Sequence, residues 1–460
     1  MKARGGRTPA RRLAAYYRST DVRERLAEYC GGSCGIAAYG GAQRIQQPEG
    51  APVPVTRSID SILDDGADVC RSMADRRGAL IHLDLDYANP GDPGEAFRRP
   101  SRVFALMEPV LREARARLAS YGLRPLCLMT ARGYHLVIRA REGSPFHAAL
   151  VDIGRIGEQL SQRYERFETS CPGAVVMGRA HEGAGRIAEH FAHELVRALR
   201  GRTDVPVTLA DVRPRGGGAF VCVDVSAYAD PLFSRHIRCA FSSNQKAWMT
   251  GFARTRPCAI VLPRRAGCHA TLLEIREDLD AAARLASVEG VAIPDAPASA
   301  VGWVEDYRRS RLGRFHREFE RGPQMRRADW PFSYGALELR GFPECIRRPL
   351  TAPNPLLLAP IYLRAVSLAL WGLGWHPRSV AGLVRSRFEA DHGWGDYWRR
   401  YDPASRAEFY VRLLCGAAFD GLDEPEEFTC ASEAARGTCS WKGCGHELER
   451  LFPVREGRSS

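Results

Sequence analysis

The feature that most constrains this chain is a short apolar segment carrying two carboxylates, Ile81-His82-Leu83-Asp84-Leu85-Asp86-Tyr87. Its alternation predicts a β-strand, in which residues two positions apart point to the same side. Asp84 and Asp86 would then project side by side, where their like charges repel unless a cation lies between them. The pattern is typical of a Mg²⁺ or Mn²⁺ site built from hard oxygen ligands. An edge strand with two solvated aspartates is the alternative.

The length of the chain indicates its number of domains, and its charge indicates the kind of partner. Its 460 residues predict two or three domains. The formal net charge of +12 favours a polyanionic partner. The basic residues are almost all arginine, since lysine occurs only at Lys2, Lys246 and Lys442. A GC-rich genome would produce the same skew, so the charge supports a nucleic-acid partner without identifying one.

The apolar segments give no sign of export or of a membrane span. Residues 1–12 are basic but lack the apolar core of a signal peptide. The most apolar stretch, 355–375, is interrupted by Arg364, so we expect a buried helix there. The fourteen cysteines would then be reduced thiols or metal ligands and not disulfides. We therefore expect a cytoplasmic protein with no membrane contact.

Hydrophobic periodicity predicts a series of elements around the two aspartates. These are a helix over 58–75, the strand with Asp84 and Asp86, a helix over 103–121, a strand–glycine turn–strand over 125–138, mainly helices over 145–200, and an apolar strand over 219–225 that carries Asp224.

Three of these elements stand in an order that resembles the archaeo-eukaryotic primase superfamily, which includes the small catalytic subunit of replicative primases and the primase-polymerases. The first is apolar-Asp84-x-Asp86, and the third is the strand ending at Asp224. Between them, Thr130-Ala131-Arg132-Gly133-Tyr134-His135 is similar to the family's Ser-Gly-Arg-Gly-x-His-like turn. Downstream, Arg238-Cys239-Ala240-Phe241-Ser242-Ser243-Asn244-Gln245-Lys246 has Ala and Asn where the family usually has Pro and His. The resemblance covers roughly 75–255.

The resemblance implies which residues would bind metal. Nucleotidyl transfer in such enzymes uses two divalent cations, Mg²⁺ or Mn²⁺. The implied ligands are Asp84, Asp86 and Asp224. Asp230 is the alternative third carboxylate; Asp224 is preferred because it ends the strand and has the family's spacing to the residues that follow.

The resemblance also implies the nucleotide ligands. Arg132 and His135 would hold triphosphate oxygens, and Arg238 and Lys246 would neutralise the charge that develops during the reaction.

The C-terminal cysteines carry a second resemblance, to the iron–sulfur domain of the large primase subunit. Gly341-Phe342-Pro343-Glu344-Cys345-Ile346 looks like the Pro-Pro-Cys-Ile segment at which that domain begins. One remote and three clustered thiolates would bind a [4Fe–4S] cluster, and the implied ligands are Cys345, Cys430, Cys439 and Cys444. The same four could hold a structural Zn²⁺. Three other cysteines are expected in the apolar core: Cys127, Cys222 and Cys415.

We therefore expect an α/β (α+β) fold, in which a primase-type catalytic core with mixed sheets and an RRM-like half precedes a mostly α-helical metal-cluster domain. The expected parts are a basic tail and helical extension over 1–55, a catalytic domain over 56–290, a linker and basic helix over 291–335, and the cluster domain over 336–460.

The two resemblances together imply a DNA primase or primase-polymerase, which would make primers from NTPs or dNTPs on a single-stranded DNA template. Replication or repair proteins would be further partners. Two alternatives stay open. One is a repair or gap-filling polymerase of the same superfamily, and the other is a non-catalytic single-stranded-DNA-binding protein, against which the intact carboxylates argue.

Overall fold

The computed structural model describes residues 9–40, 43–44, 58–169, 171–253, 256–263, 269–351, 355–390, 401–439 and 444–453. The basic tail predicted at the N-terminus starts at residues 1–8, which lie outside the described residues. The chain divides into two compact units. The first unit comprises Met1–Ala188 and Leu232–Gly302, and the second unit comprises Glu189–Pro231 and Trp303–Ser460.

The described residues form short and medium strands. These are β1 (Ile36–Gly40), β2 (Gln43–Arg44), β3 (Asp68–Ser72), β4 (Gly78–Ala88), β5 (Leu126–Met129), β6 (Gly133–Arg141), β7 (Val207–Leu209), β8 (Phe220–Asp224), β9 (His236–Arg238) and β10 (Ile260–Val261).

Helices make up most of the remaining regular structure. They are α1 (Pro9–Tyr17), α2 (Thr20–Cys30), α3 (Ile59–Asp64), α4 (Glu95–Arg98), α5 (Pro100–Ser120), α6 (Pro145–Ile153), α7 (Glu158–Glu165), α8 (Ala174–Leu199), α9 (Gln245–Met249), α10 (His269–Glu277), α11 (Leu279–Val288), α12 (Val301–Arg309), α13 (Arg311–Arg321), α14 (Glu344–Leu350), α15 (Pro360–Gly372), α16 (Pro377–Phe388), α17 (Pro403–Phe419) and α18 (Cys430–Arg436). The predicted mixed α/β class is confirmed.

The first unit contains antiparallel strands in two sheets. One sheet has the order β2-β1-β3-β9. In the other, β10, β5, β6 and β4 are neighbours in that order. Strand β4 pairs with β6 from Gly78 opposite Arg141 to Asp86 opposite Gly133. The predicted strand–turn–strand is confirmed, and its second strand lies beside the one that carries the two aspartates.

The long helix α5 covers the first unit's core, as the spacing of its apolar residues predicted. Its buried side chains are Val103, Phe104, Met107, Val110, Leu111, Ala114 and Leu118. The Phe104 ring meets the Tyr134 ring of β6 edge to face, with the centroids 5.3 Å apart, a favourable geometry for aromatic pairs. This packing fixes the turn that precedes β6.

One predicted element is wrong in part. The helix expected over 58–75 exists only as α3, and the chain then enters β3. Gly66 adopts φ +63° directly after the helix, a backbone conformation that glycine accepts readily. Val69 and Cys70 then pair with β1 and β9. Those partners are distant in sequence, so the local pattern could not reveal the strand.

Apolar helices form the core of the second unit. The buried helix predicted over 355–375 is confirmed as α15, which packs against α17. Arg364, the residue that interrupts its apolar run, is 1% exposed and donates to both Asp423 and Glu433. A buried charge costs free energy unless it is paired in this way. In the same unit β7 and β8 run parallel.

No helix within the described residues is both long enough and apolar enough to span a membrane. The three cysteines expected in the core, Cys127, Cys222 and Cys415, are buried.

Candidate active site

Asp84 and Asp86 project from one side of β4, as their spacing predicted. The side chain of Asp84 is 21% exposed and that of Asp86 is 15% exposed. Leu83, which precedes Asp84, and Leu85, which lies between the two aspartates, are buried. The alternation follows from the pleat, which sends successive residues to opposite faces. Two partly buried carboxylates therefore stand side by side on one face of the sheet.

His135 lies directly across from Asp84 in the β4–β6 register. Its Nε2 is 3.6 Å from Asp84 Oδ2, and its Nδ1 is buried without a hydrogen-bond partner among the described residues. Burial lowers the pKa of His135 to about 4, with a smaller contribution in the same direction from Arg238, while Asp86 opposes the shift. The imidazole is therefore neutral near pH 7.

A second histidine, His82, belongs to the same cluster and was missed in the sequence. Its ring lies edge-on to that of His135, with 4.6 Å between the centroids. Burial lowers the pKa of His82 well below its usual value, and the neighbouring His135 and Arg235 add to the shift. The two-residue spacing of His82, Asp84 and Asp86 was the signal that could have revealed it.

The turn before β6 brings Arg132 to the carboxylates. Its Nη2 donates to Asp86 Oδ2 at 2.5 Å, and the side chain is 52% exposed. The next residue, Gly133, lies so close to β4 that a Cβ there would be 1.8 Å from the carbonyl oxygen of Leu85. The motif glycine thus permits the approach that places Arg132 beside Asp86.

Arg238 is held by a carboxylate that the sequence did not single out. Its Nη1 lies 2.8 Å from Asp68 Oδ2 and also donates to the carbonyl of Ser243. Asp68 further accepts from Ser243 Oγ at 2.6 Å and from the Gln245 backbone N–H at 2.9 Å. Burial alone would lower the pKa of Arg238. The charge of Asp68 outweighs burial, so the pKa of Arg238 is raised. No sequence signal marked Asp68, which lies in the segment predicted to be helical.

Lys246 is exposed on α9, the short helix that follows the Asp68 contacts. The first unit therefore brings Asp84, Asp86, Arg132, His135 and Arg238 into one electrostatically connected cluster.

The two candidates for the third carboxylate belong to the second unit. Asp224 ends β8, and its Oδ1 accepts a hydrogen bond from the Ser226 backbone N–H at 2.7 Å. Asp230 is buried, and its two oxygens bind Arg406 at 2.7 and 3.1 Å. A bidentate guanidinium occupies the lone pairs that a metal would need. Asp230 is therefore engaged in a buried ion pair, and the choice of Asp224 as the third metal ligand stays a prediction.

The four C-terminal cysteines also belong to the second unit. Cys345, on α14, is 4% exposed, and Cys430 begins α18. Burial raises the pKa of Cys345 to about 12, and the nearby Cys439, Glu433 and Cys430 contribute in the same direction. Burial also raises the pKa of Cys430, as do Glu449, Cys444 and Cys439. The charges that act on Cys345 and Cys430 thus include other thiols of the predicted set.

Glu433 shapes the turn between these cysteines and was not identified in the sequence. It is fully buried, and it accepts from Arg364 Nη1 at 2.6 Å and from Thr438 Oγ1 at 2.6 Å. The contact with Glu433 holds Thr438 in place, and Thr438 is the residue directly before Cys439.

No group of three or more His, Cys, Asp or Glu side chains in the described part of the chain is close enough to hold a metal ion. The donor types do fit the groups that the resemblances imply. Carboxylate oxygens suit Mg²⁺ and Mn²⁺, and four thiols suit a [4Fe–4S] cluster or Zn²⁺.

Comparison with known proteins gives a likeness in structure but none in sequence. No family model matches the sequence, and no curated protein matches it. Among solved structures, the fold is similar to the polymerase domain of Mycobacterium tuberculosis ligase D in complex with DNA. The TM-score is 0.34 and the sequence identity 15%, and the alignment covers 62% of this chain and 99% of that domain.

Proposed function

We propose that this chain is a nucleotidyltransferase, specifically a DNA primase or primase-polymerase that copies single-stranded DNA from NTPs or dNTPs. The proposal is supported by one observation above all. Asp84 and Asp86 stand side by side on β4, with the neutral His135 across from one and the guanidinium of Arg132 on the other. This set of groups suits the binding of a metal–triphosphate complex.

In this proposal each side chain has a defined task. Asp84, Asp86 and Asp224 would hold divalent cations, which activate the attacking hydroxyl and stabilise the leaving pyrophosphate when bound. The neutral His135 would donate an N–H to a phosphate oxygen. Arg238, held by Asp68, would keep a fixed positive charge near the triphosphate, and such preorganised charge lowers the barrier without reorganisation. Lys246 would contribute a further cation from α9.

We also propose that the residues over 336–460 form a cluster-binding domain, which follows the catalytic domain over 56–290 in the sequence. Cys345, Cys430, Cys439 and Cys444 would bind the [4Fe–4S] cluster, with Zn²⁺ as the alternative. The donor types support the proposal, because four thiols suit either group. Such a cluster would stabilise the helical domain and would take no part in the divalent-cation chemistry.

The decisive experiment uses the purified full chain with unprimed single-stranded DNA, nucleotides and Mn²⁺ or Mg²⁺. We expect new oligonucleotides from the wild type and a loss of several orders of magnitude in Asp84→Asn and Asp86→Asn. Asp295→Asn, which changes an exposed carboxylate in the same unit, is the matched control and should remain active. A wild type that makes no product with either metal on any template would refute the enzymatic proposal.

Two further comparisons separate the alternatives. If Asp230→Asn abolishes incorporation while Asp224→Asn retains it, the third ligand is Asp230. If the wild type extends a primed template but makes nothing on an unprimed one, the chain is a gap-filling or repair polymerase. Replication or repair proteins as partners belong to the same proposal and would be sought by co-purification.

A further inference from the structure

The first unit exposes a small apolar surface on the segment that begins with α9. Trp248 and Met249 are each 41% exposed, and Phe252 is 37% exposed. Large apolar side chains exposed together, unlike single ones, mark an interaction site. We call Trp248, Phe252 and Arg256 the stacking surface.

The base of this segment is fixed to the candidate active site. Ser243 forms an antiparallel bridge with Cys258, and the Asn244 backbone N–H donates to the Pro257 carbonyl at 2.8 Å. The Gln245 backbone N–H binds Asp68, the same carboxylate that holds Arg238. The described residues of this excursion, 244–253 and 256–257, thus begin and end close together, beside a candidate nucleotide ligand.

The tip of the excursion touches the loop that follows the aspartate strand. A Cβ at Gly94 would lie 3.2 Å from the Phe252 ring and would also meet the Arg98 guanidinium. Gly94 comes soon after Asp86, the last of the two strand aspartates. The surface therefore has the Asp68–Arg238 pair at its base and the loop after β4 at its tip.

Arg256 gives this surface a positive charge. Its guanidinium carbon lies 4.4 Å from the centroid of the Trp248 ring. It makes no hydrogen bond or ion pair with any residue that the structure describes, and its Nε is buried without an acceptor. A buried donor with no partner is costly, so an anionic oxygen arriving from outside would be favoured there. Lys246, exposed on α9, adds a second positive charge to the same segment.

We propose that the stacking surface binds single-stranded nucleic acid, with nucleobases against Trp248 and Phe252 and a backbone phosphate on Arg256. The inference rests on the proposed function, because it gives the strand copied there a place to bind. Such a ligand offers flat apolar faces and anionic oxygens in alternation, and aromatic–base stacking is tolerant of sequence. An apolar protein partner would leave the donors of Arg256 unsatisfied.

The test is a titration of the full chain with a fluorescently labelled oligothymidylate, without nucleotides or divalent metal, followed by anisotropy. Trp248→Ala and Phe252→Ala should each weaken binding about tenfold, the effect of losing one stacked base. The matched control is Phe332→Ala, which removes an aromatic ring that is 87% exposed in the second unit and should leave affinity unchanged. Arg256→Gln should weaken binding and make the dependence of affinity on salt less steep, because one phosphate contact is lost.

An oligomer of abasic sites separates stacking from charge. The wild type should bind it more weakly than oligothymidylate, and Trp248→Ala should bind it as well as the wild type does. Unchanged oligothymidylate affinity in both aromatic variants would overturn the inference, as would equal losses on the two oligomers. Failure of the proposed function would instead appear as a wild type that binds the strand through Trp248 but incorporates no nucleotide.

Discussion

At the residue scale, Asp75 shows how a buried charge of the first unit is compensated. Asp75 is 1% exposed and accepts from Arg71 at 2.6 Å and from Arg139 at 3.2 Å. Removing one partner of a buried pair leaves an uncompensated charge in a medium of low dielectric constant. Asp75 therefore holds two cations inside the fold.

Asp75→Ala should lower the free energy of unfolding by about 3–5 kcal/mol, the cost of leaving buried guanidinium groups unpaired. Urea denaturation would measure it. The matched control is Asp64→Ala, which removes a carboxylate that is 69% exposed and pairs with Arg23; such surface pairs contribute less than about 1 kcal/mol. Similar losses in the two variants would contradict the role assigned to burial.

The stability of the first unit should also depend on the protonation of His236, on β9. Burial, with help from the adjacent Arg235, lowers the pKa of His236 to about 4. Between pH 6.5 and about 4 the unfolded chain binds a proton that the folded chain does not, so the free energy of unfolding falls as the pH falls. The loss should reach at most about 3 kcal/mol.

Urea denaturation at several pH values would check this, with His236→Asn as the comparison. The variant should lose part of the decline between pH 6.5 and 4. A decline of the same size in both proteins would assign the effect to other groups.

At the element scale, the close pairing of β4 with β6 is what brings the turn residues to the aspartates. The two strands share nine register pairs, from Gly78–Arg141 to Asp86–Gly133. The last pair is tight, because the space that a Cβ at Gly133 would need is filled by backbone of β4. The geometry of the candidate active site thus depends on a residue without a side chain.

Gly133→Ala should force the strands apart and lower the free energy of unfolding by about 1–3 kcal/mol, as overpacking does. Nucleotide incorporation should fall further than stability does, because Arg132 would move away from Asp86. Thermal unfolding and primer synthesis would be measured together. Gly216→Ala, at a position with no atom within 4 Å of the new Cβ, is the control and should change neither.

At the scale of the whole molecule, the helical second unit is where the chain would carry a second metal group. Protein purified without oxygen should be brown and contain about four irons per chain. Cys345→Ser should lose the iron and destabilise the second unit, whereas Cys415→Ser, which changes a buried packing cysteine, should keep it. Iron analysis and thermal unfolding would measure both. Colourless protein with one zinc per chain would contradict the iron–sulfur cluster and indicate a structural zinc site instead.

The sequence by itself determined the local features of this protein. The two-residue period of a strand places Asp84 and Asp86 on one side whatever the surrounding fold. Helical spacing likewise predicted α5, and the apolar run around Arg364 predicted α15. These features depend on neighbours within one or two turns or pleats, so a single sequence is sufficient to reveal them.

The tertiary structure decided the features that depend on distant partners. Residues after α3 become a strand because β1 and β9 provide its hydrogen bonds. Asp68 reaches Arg238 across 170 positions of sequence, and Asp230 is engaged by Arg406 across 176. The exposure of Trp248 likewise depends on which segments cover it. Pairing and burial are settled by the whole fold, because the free energy of a charge or an aromatic ring depends on what surrounds it.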